Sequence, residues 1–76
     1  MEEKKVSKYQ VIENYIIENI HSNIFKADDI LPTESELAEK FSCSRVTVRQ
    51  ALSNLTYKGI IYRIQGKGSF VSKEIL

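Results

Sequence analysis

Between Val6 and about Asn23, apolar residues fall at Tyr9, Ile12, Ile16 and Ile20. Steps of three and four predict a helix with one buried face, and Tyr15 and Ile17 widen it. The pattern breaks across IFKADDIL, read as a loop ending in a short extended stretch at Ile30-Leu31. Pro32 ends anything helical before it, because its ring pushes the preceding residue out of helical backbone. In LPTESELAEKF, Thr33 and Glu36 stand three apart as a capping box, hydroxyl to the third amide and carboxylate back to the cap amide. Leu37, Ala38 and Phe41 give that short helix its buried face. The polar SCS break follows. Ser44 caps a third helix with Val48, Ala51, Leu52 and Leu55 at helical spacing. Gly59, after Lys58, is the helix stop, since glycine accepts the left-handed turn. IIYRI and SFVS, joined by QGKG, read as a hairpin with Gly66 and Gly68 supplying positive φ at its tip. The predicted order is helix, short strand, helix, turn, helix, strand, strand.

Size bounds this architecture to a single domain with a modest core, since the chain has 76 residues. An apolar fraction of 42% and a charged fraction of 28% are ordinary for a globular chain. No apolar run reaches the roughly 18 residues of a membrane span. The polar start MEEKKVSKYQ lacks a signal-peptide centre. Residues 1–5 read as a frayed, charged start. Cys43, the lone cysteine, has no partner for an internal disulfide and points to no metal site. A reducing, cytoplasmic setting is expected, with no cofactor and no membrane partner.

The net charge of +1 conceals an asymmetry. Residues 1–41 hold nine acids and five bases; residues 42–76 hold six bases and one acid, Glu74. From Ser42 to Lys73 there is no carboxylate. Such a segment suits a polyanion, because each phosphate contact releases condensed counterions.

Two helices joined by a tight turn form a helix-turn-helix, and a hairpin directly after makes it winged. The expected class is mainly α with a small β-wing: three helices plus a β-hairpin. A major groove about 12 Å wide admits one helix, whose amino-terminal residues reach base edges. In SRVTVRQALSNL the apolar stripe faces the core. Arg45 and Arg49, one turn apart, emerge together on a neighbouring flank, and Val46 and Gln50 point most directly away. Ser44 and Thr47 are short donors suited to phosphates. At the hairpin tip, Gln65, Gly66 and Lys67 are placed to enter the minor groove or grip phosphate.

The segment from Leu31 to Ser72 resembles the amino-terminal domain of the GntR family of bacterial transcription regulators. The marks are LPTESELA, SRVTVRQAL and GIIYRIQGKGSFV, specific together and weak singly. The resemblance implies a winged helix that binds operator DNA as a dimer. It implies that Arg45 and Arg49 are the main base readers, with Thr47 and Gly66 as their usual partners. Many members carry an arginine where this chain has Ser35, so that DNA contact is expected to be weaker or absent here. Cys43 stands where valine or isoleucine is common, which implies a small apolar packing role. The wing text, and Lys8-Tyr9 opening the first helix, look most like the HutC-type and arabinose-repressor branches, which suggests a sugar-like effector. Family members are longer, with an effector-binding, dimerising domain; residues 1–76 are expected to be the winged helix domain alone. The implied partner is palindromic double-stranded operator DNA. The full-length protein is expected to be a homodimer in the cytoplasm, associated with the nucleoid, although the isolated domain can be monomeric.

Two other classes compete with this reading. A winged helix can instead dock a protein, and salt dependence separates the two, since phosphate binding weakens steeply with salt. An enzyme is disfavoured: His21, the only histidine, closes the first helix without a nucleophile constellation. GKGS lacks the longer glycine run and following helix of a phosphate loop. Tyr57, Tyr62 and Phe70 are expected to pack core and wing rather than stack bases.

Overall fold

The computed structural model describes residues 7–73. Val6, the charged start 1–5 and Glu74 lie outside the described residues. The element order is α1 (Lys8–His21), α2 (Glu34–Phe41), α3 (Arg45–Tyr57), β1 (Ile61–Ile64) and β2 (Gly68–Val71).

Each helix ends on a residue in the left-handed region that lets the next amide reach back five residues. Asn23 takes φ 64, and the Ile24 amide donates to the Asn19 carbonyl at 3.0 Å or less (2.9 Å). This ends α1 at His21, two residues before the sequence pattern suggested. Ser42 takes φ 53 and Cys43 N–H donates to Ala38 O at 3.0 Å. Gly59 takes φ 78 and Ile60 N–H donates to Leu55 O at 3.0 Å. The capping box forms as the spacing predicted: Glu36 N–H donates to Thr33 Oγ1 at 3.1 Å, and Thr33 N–H to Glu36 Oε1 at 2.9 Å.

The core lies between α1, α2, α3 and the base of the hairpin. Ile12 and Ile16 from α1, Leu37 from α2, and Val48, Ala51, Leu52 and Leu55 from α3 are all buried. Leu31, Ile61 and Val71 close its hairpin side. Tyr9, Phe41 and Cys43 pack half-buried against it. Tyr15 meets Phe25 and Phe41 edge-on at ring distances of 6.1 and 5.3 Å.

β1 and β2 pair antiparallel, Ile61 opposite Val71 and Ile64 opposite Gly68. The tip turns on Gly66 at φ 80, with Lys67 N–H donating to Ile64 O at 2.9 Å. Gly68 is not at the tip; it opens β2 at φ 132. The expected third strand shrinks to a single bridge, Ile30 to Phe70. Pro32 has no amide to extend that ladder, and Asp28 at φ 68 turns the chain out of extended backbone on the other side.

Tyr57 departs from its expected packing role. At 93% exposure it touches neither core nor wing, because helical phase carries it past the Val48–Leu55 stripe. Tyr62 and Phe70 do pack on the hairpin, stacked at 5.5 Å, and the Tyr62 hydroxyl donates to Asp28 at 2.8 Å.

Ser42 holds a left-handed backbone that glycine adopts without steric cost. Ser42→Gly is expected to stabilise the domain by up to about 1 kcal/mol, several degrees in Tm for a domain this small. A thermal melt that falls or stays level would contradict it.

Candidate nucleic-acid interface

The amino end of α3 presents its polar residues outward because its apolar stripe is committed to the core. Ser44 caps the helix, its Oγ accepting from Thr47 N–H at 3.1 Å, with the two hydroxyls also 3.1 Å apart. Arg45, Val46, Arg49 and Gln50 are exposed, Val46 at 68%. The wing tip holds Gln65, Gly66 and Lys67, all exposed. Lys8 is exposed at the first turn of α1, whereas Tyr9 is half-buried against the core.

Two arginines of α3 are held by the first residues of α2. Arg45 Nη2 donates to Ser35 Oγ at 2.6 Å. Ser35 therefore serves as the acceptor that orients Arg45. Arg49 forks onto Glu34, Nε to Oε2 at 3.2 Å and Nη2 to Oε1 at 3.0 Å. Arg63 of β1 also donates to Glu34 Oε2, at 3.3 Å. A carboxylate from the acidic half thus sits between two cations of the basic half. The stretch from Ser42 to Lys73 lacks acids in sequence, but its folded surface does not.

Charge and hydrogen bonding explain the titration of this cluster. The hydrogen bonds from Arg49 hold the Glu34 carboxyl below its usual 4.5, against the upward push of partial burial, and the charges of Arg49 and Arg63 add to it. The same hydrogen bonds raise the Arg49 guanidinium above its already high value. Of Arg49's five N–H groups, Glu34 takes one on Nε and one on Nη2. Both N–H groups of Nη1 and the second of Nη2 remain, and that edge matches the paired acceptors of guanine. The clamp orients the arginine without consuming its end-on face.

The sequence reading missed Glu34 and Arg63. An acid at a helix start is ordinary, and Arg63 is one of the six bases counted in residues 42–76. Nothing local marks a carboxylate that will meet an arginine fifteen residues further on. The structure pairs Ser35 with Arg45 and joins Glu34 to Arg49 and Arg63; Lys8, Tyr9 and the wing-tip residues stand outside these contacts. Among the described residues no group of His, Cys, Asp or Glu could hold a metal ion, and no helix is long and apolar enough to cross a membrane.

Three helices with a helix-turn-helix at α2–α3, followed at once by a two-stranded hairpin, define a winged helix-turn-helix domain. The family model for bacterial regulatory proteins of the gntR family matches residues 8–71, and the chain belongs to that family. This is a family of regulators, not of enzymes. The chain is 47% identical over 73 residues to the arabinose metabolism transcriptional repressor of Geobacillus stearothermophilus, covering 96% of this chain and 20% of that protein. It is 49% identical over 65 residues to the HTH-type transcriptional repressor NagR of Bacillus subtilis (strain 168), covering 86% of this chain and 26% of that protein. The chain therefore spans between a fifth and about a quarter of these curated relatives. Its fold matches the crystal structure of AraR(DBD) in complex with operator ORR3, with a TM-score of 0.90 and 35% identity, covering 95% of this chain and 87% of that one. A GntR family transcriptional regulator from Listeria monocytogenes matches with a TM-score of 0.86 and 27% identity, over 96% of this chain and 64% of that one.

The Glu34 cluster has a pH signature. A depressed folded pKa stabilises the fold above the unfolded value, and that contribution is lost as pH falls through the folded value. The chain should melt above Glu34→Gln near neutral pH, and the gap should close as pH drops below 4.5. A gap that stays constant with pH would remove the ion pair as its cause.

Proposed function

We propose that this chain is the sequence-specific DNA-binding domain of a bacterial transcription repressor, with α3 in the major groove of operator DNA. The observation that carries this reading is the amino end of α3, where Arg45 and Arg49 project from an exposed flank and are each oriented by an α2 side chain. An arginine aimed in this way makes a bidentate guanine contact worth about 1–3 kcal/mol of discrimination. Arg45 and Arg49 are the base readers. Val46 and Gln50 face the groove floor, and Ser44 and Thr47 meet phosphate at the positive end of the helix. Gln65, Gly66 and Lys67 bring the wing to the neighbouring groove or backbone, where Gly66 allows close approach. Lys8 and Tyr9 approach phosphate at the start of α1. Ser35 acts through Arg45, with little direct contact of its own. The similarity to AraR(DBD), solved on operator DNA, supports this arrangement.

A two-fold dimer on a palindromic operator accompanies this reading, with half-sites spaced by the helical repeat. Dimerisation and metabolite response belong, in this reading, to a region beyond the winged helix. The likeness to an arabinose metabolism repressor and to NagR supports a sugar-like effector. The setting is the cytoplasm, at the nucleoid.

Arg49→Ala should lose most specific binding, roughly 5- to 150-fold in Kd for a lost bidentate pair. A gel-shift titration with an operator duplex measures it, and unchanged affinity would rule out Arg49 as a reader. Lys67→Ala should weaken binding similarly on all sequences and lower the salt slope by about one unit. An equal slope for variant and parent would take Lys67 off the phosphate. Binding of any duplex that ignores salt would instead favour a protein-docking winged helix.

A further inference from the structure

Four polar side chains link the buried side of α1 to the outward side of α3. Glu13, in the middle of α1, is only 7% exposed. Its Oε2 accepts from Asn54 Nδ2 at 2.7 Å, and its Oε1 from Lys58 Nζ at 3.5 Å. Asn54 Oδ1 accepts in turn from Gln50 Nε2 at 3.0 Å.

The polarity of this chain is set at its buried end. A carboxylate only accepts. Asn54 must therefore turn its NH2 inward to Glu13, which leaves its carbonyl facing Gln50. Gln50 must turn its own NH2 to Asn54. The Gln50 carbonyl oxygen and its second N–H are then what remains for the outer surface. A free glutamine offers either end by rotating its last bond; this one is held one way round.

We propose that Glu13 and Asn54 are positioning residues that fix Gln50 as a reader of adenine. The proposal rests on the DNA-binding reading above. Adenine shows the major groove a donor at N6 and an acceptor at N7. The outward Gln50 oxygen accepts from N6, and the remaining N–H donates to N7. Guanine offers two acceptors and thymine one, so neither has a donor for that oxygen. Cytosine offers a donor alone and makes half the contact.

The test is selection of bound duplexes from a random pool, run on this chain, on Gln50→Ala and on Glu13→Leu/Asn54→Leu. The double variant replaces both partners of the buried bond with apolar groups of similar size, a change close to neutral for stability. Circular dichroism reports its folding. Should it not fold, Asn54→Ser, whose side chain is too short to reach Gln50, takes its place. The position whose preference disappears in Gln50→Ala should be adenine in the parent. In the double variant that preference should fall about fivefold, the equivalent of the lower end of a bidentate base contact. Affinity for unrelated duplex should not fall, since losing Glu13 leaves Lys58 unpaired and adds one to the net charge. Another base at that position overturns the assigned polarity. An undiminished adenine preference in the double variant overturns the positioning role, and an unaltered profile in Gln50→Ala overturns Gln50 as a reader. A parent chain that selects no sequence at all fails the DNA-binding reading itself and takes the proposal with it.

Discussion

Val48, Ala51, Leu52 and Leu55 are buried against Ile12 and Ile16, and everything else in the domain is arranged around that contact. A chain of this size buries a small fraction of its surface relative to larger domains, so each buried aliphatic side chain matters, at about 1.5–3 kcal/mol apiece. Seating one stripe of α3 on α1 leaves the opposite flank of the same helix nowhere to go but outward. Helical periodicity thus couples stability to presentation: residues one turn apart on the far side are exposed as a set. The hairpin depends on the same contact, since Ile61 and Val71 complete the core and thereby fix where the wing begins.

Around that apolar centre, polar groups are held by reciprocal partners. Glu34 receives Arg49 and Arg63, tying the start of α2 to the exposed helix and to the wing. Ser35 receives Arg45. Glu13 receives Asn54 and Lys58. Each of these links spans different elements of the fold. Long side chains lose rotamer freedom when fixed, at up to about 2 kcal/mol each. A surface that orients arginines before a partner arrives has already met part of that cost in folding, which favours specific over diffuse contact.

The positions of the left-handed residues that end the three helices show how tightly the connections are drawn. Gly59 ends α3 without strain. Asn23 and Ser42 take the same backbone with a side chain attached, and Asn is tolerated there better than Ser. Ser42 lies in the turn between α2 and α3, where a looser connection would change the angle at which α3 meets the core. Leu37 and Val48, on either side of it, are both fully buried.

Most of the architecture was legible in the amino-acid order because its causes are local. The stripes of α1 and α3, the Thr33–Glu36 box, the Ser44 cap and the stop at Gly59 all act within one or two turns. The candidate readers Arg45 and Arg49 were visible for the same reason, by their phase relative to the stripe. What tertiary structure alone decided are the long-range pairings. Glu34 reaches Arg49 and Arg63 across separations of 15 and 29 residues, and Glu13 reaches Asn54 across 41. No periodicity encodes which acid meets which base once helices cross, because that depends on crossing angle and rotamer rather than on spacing.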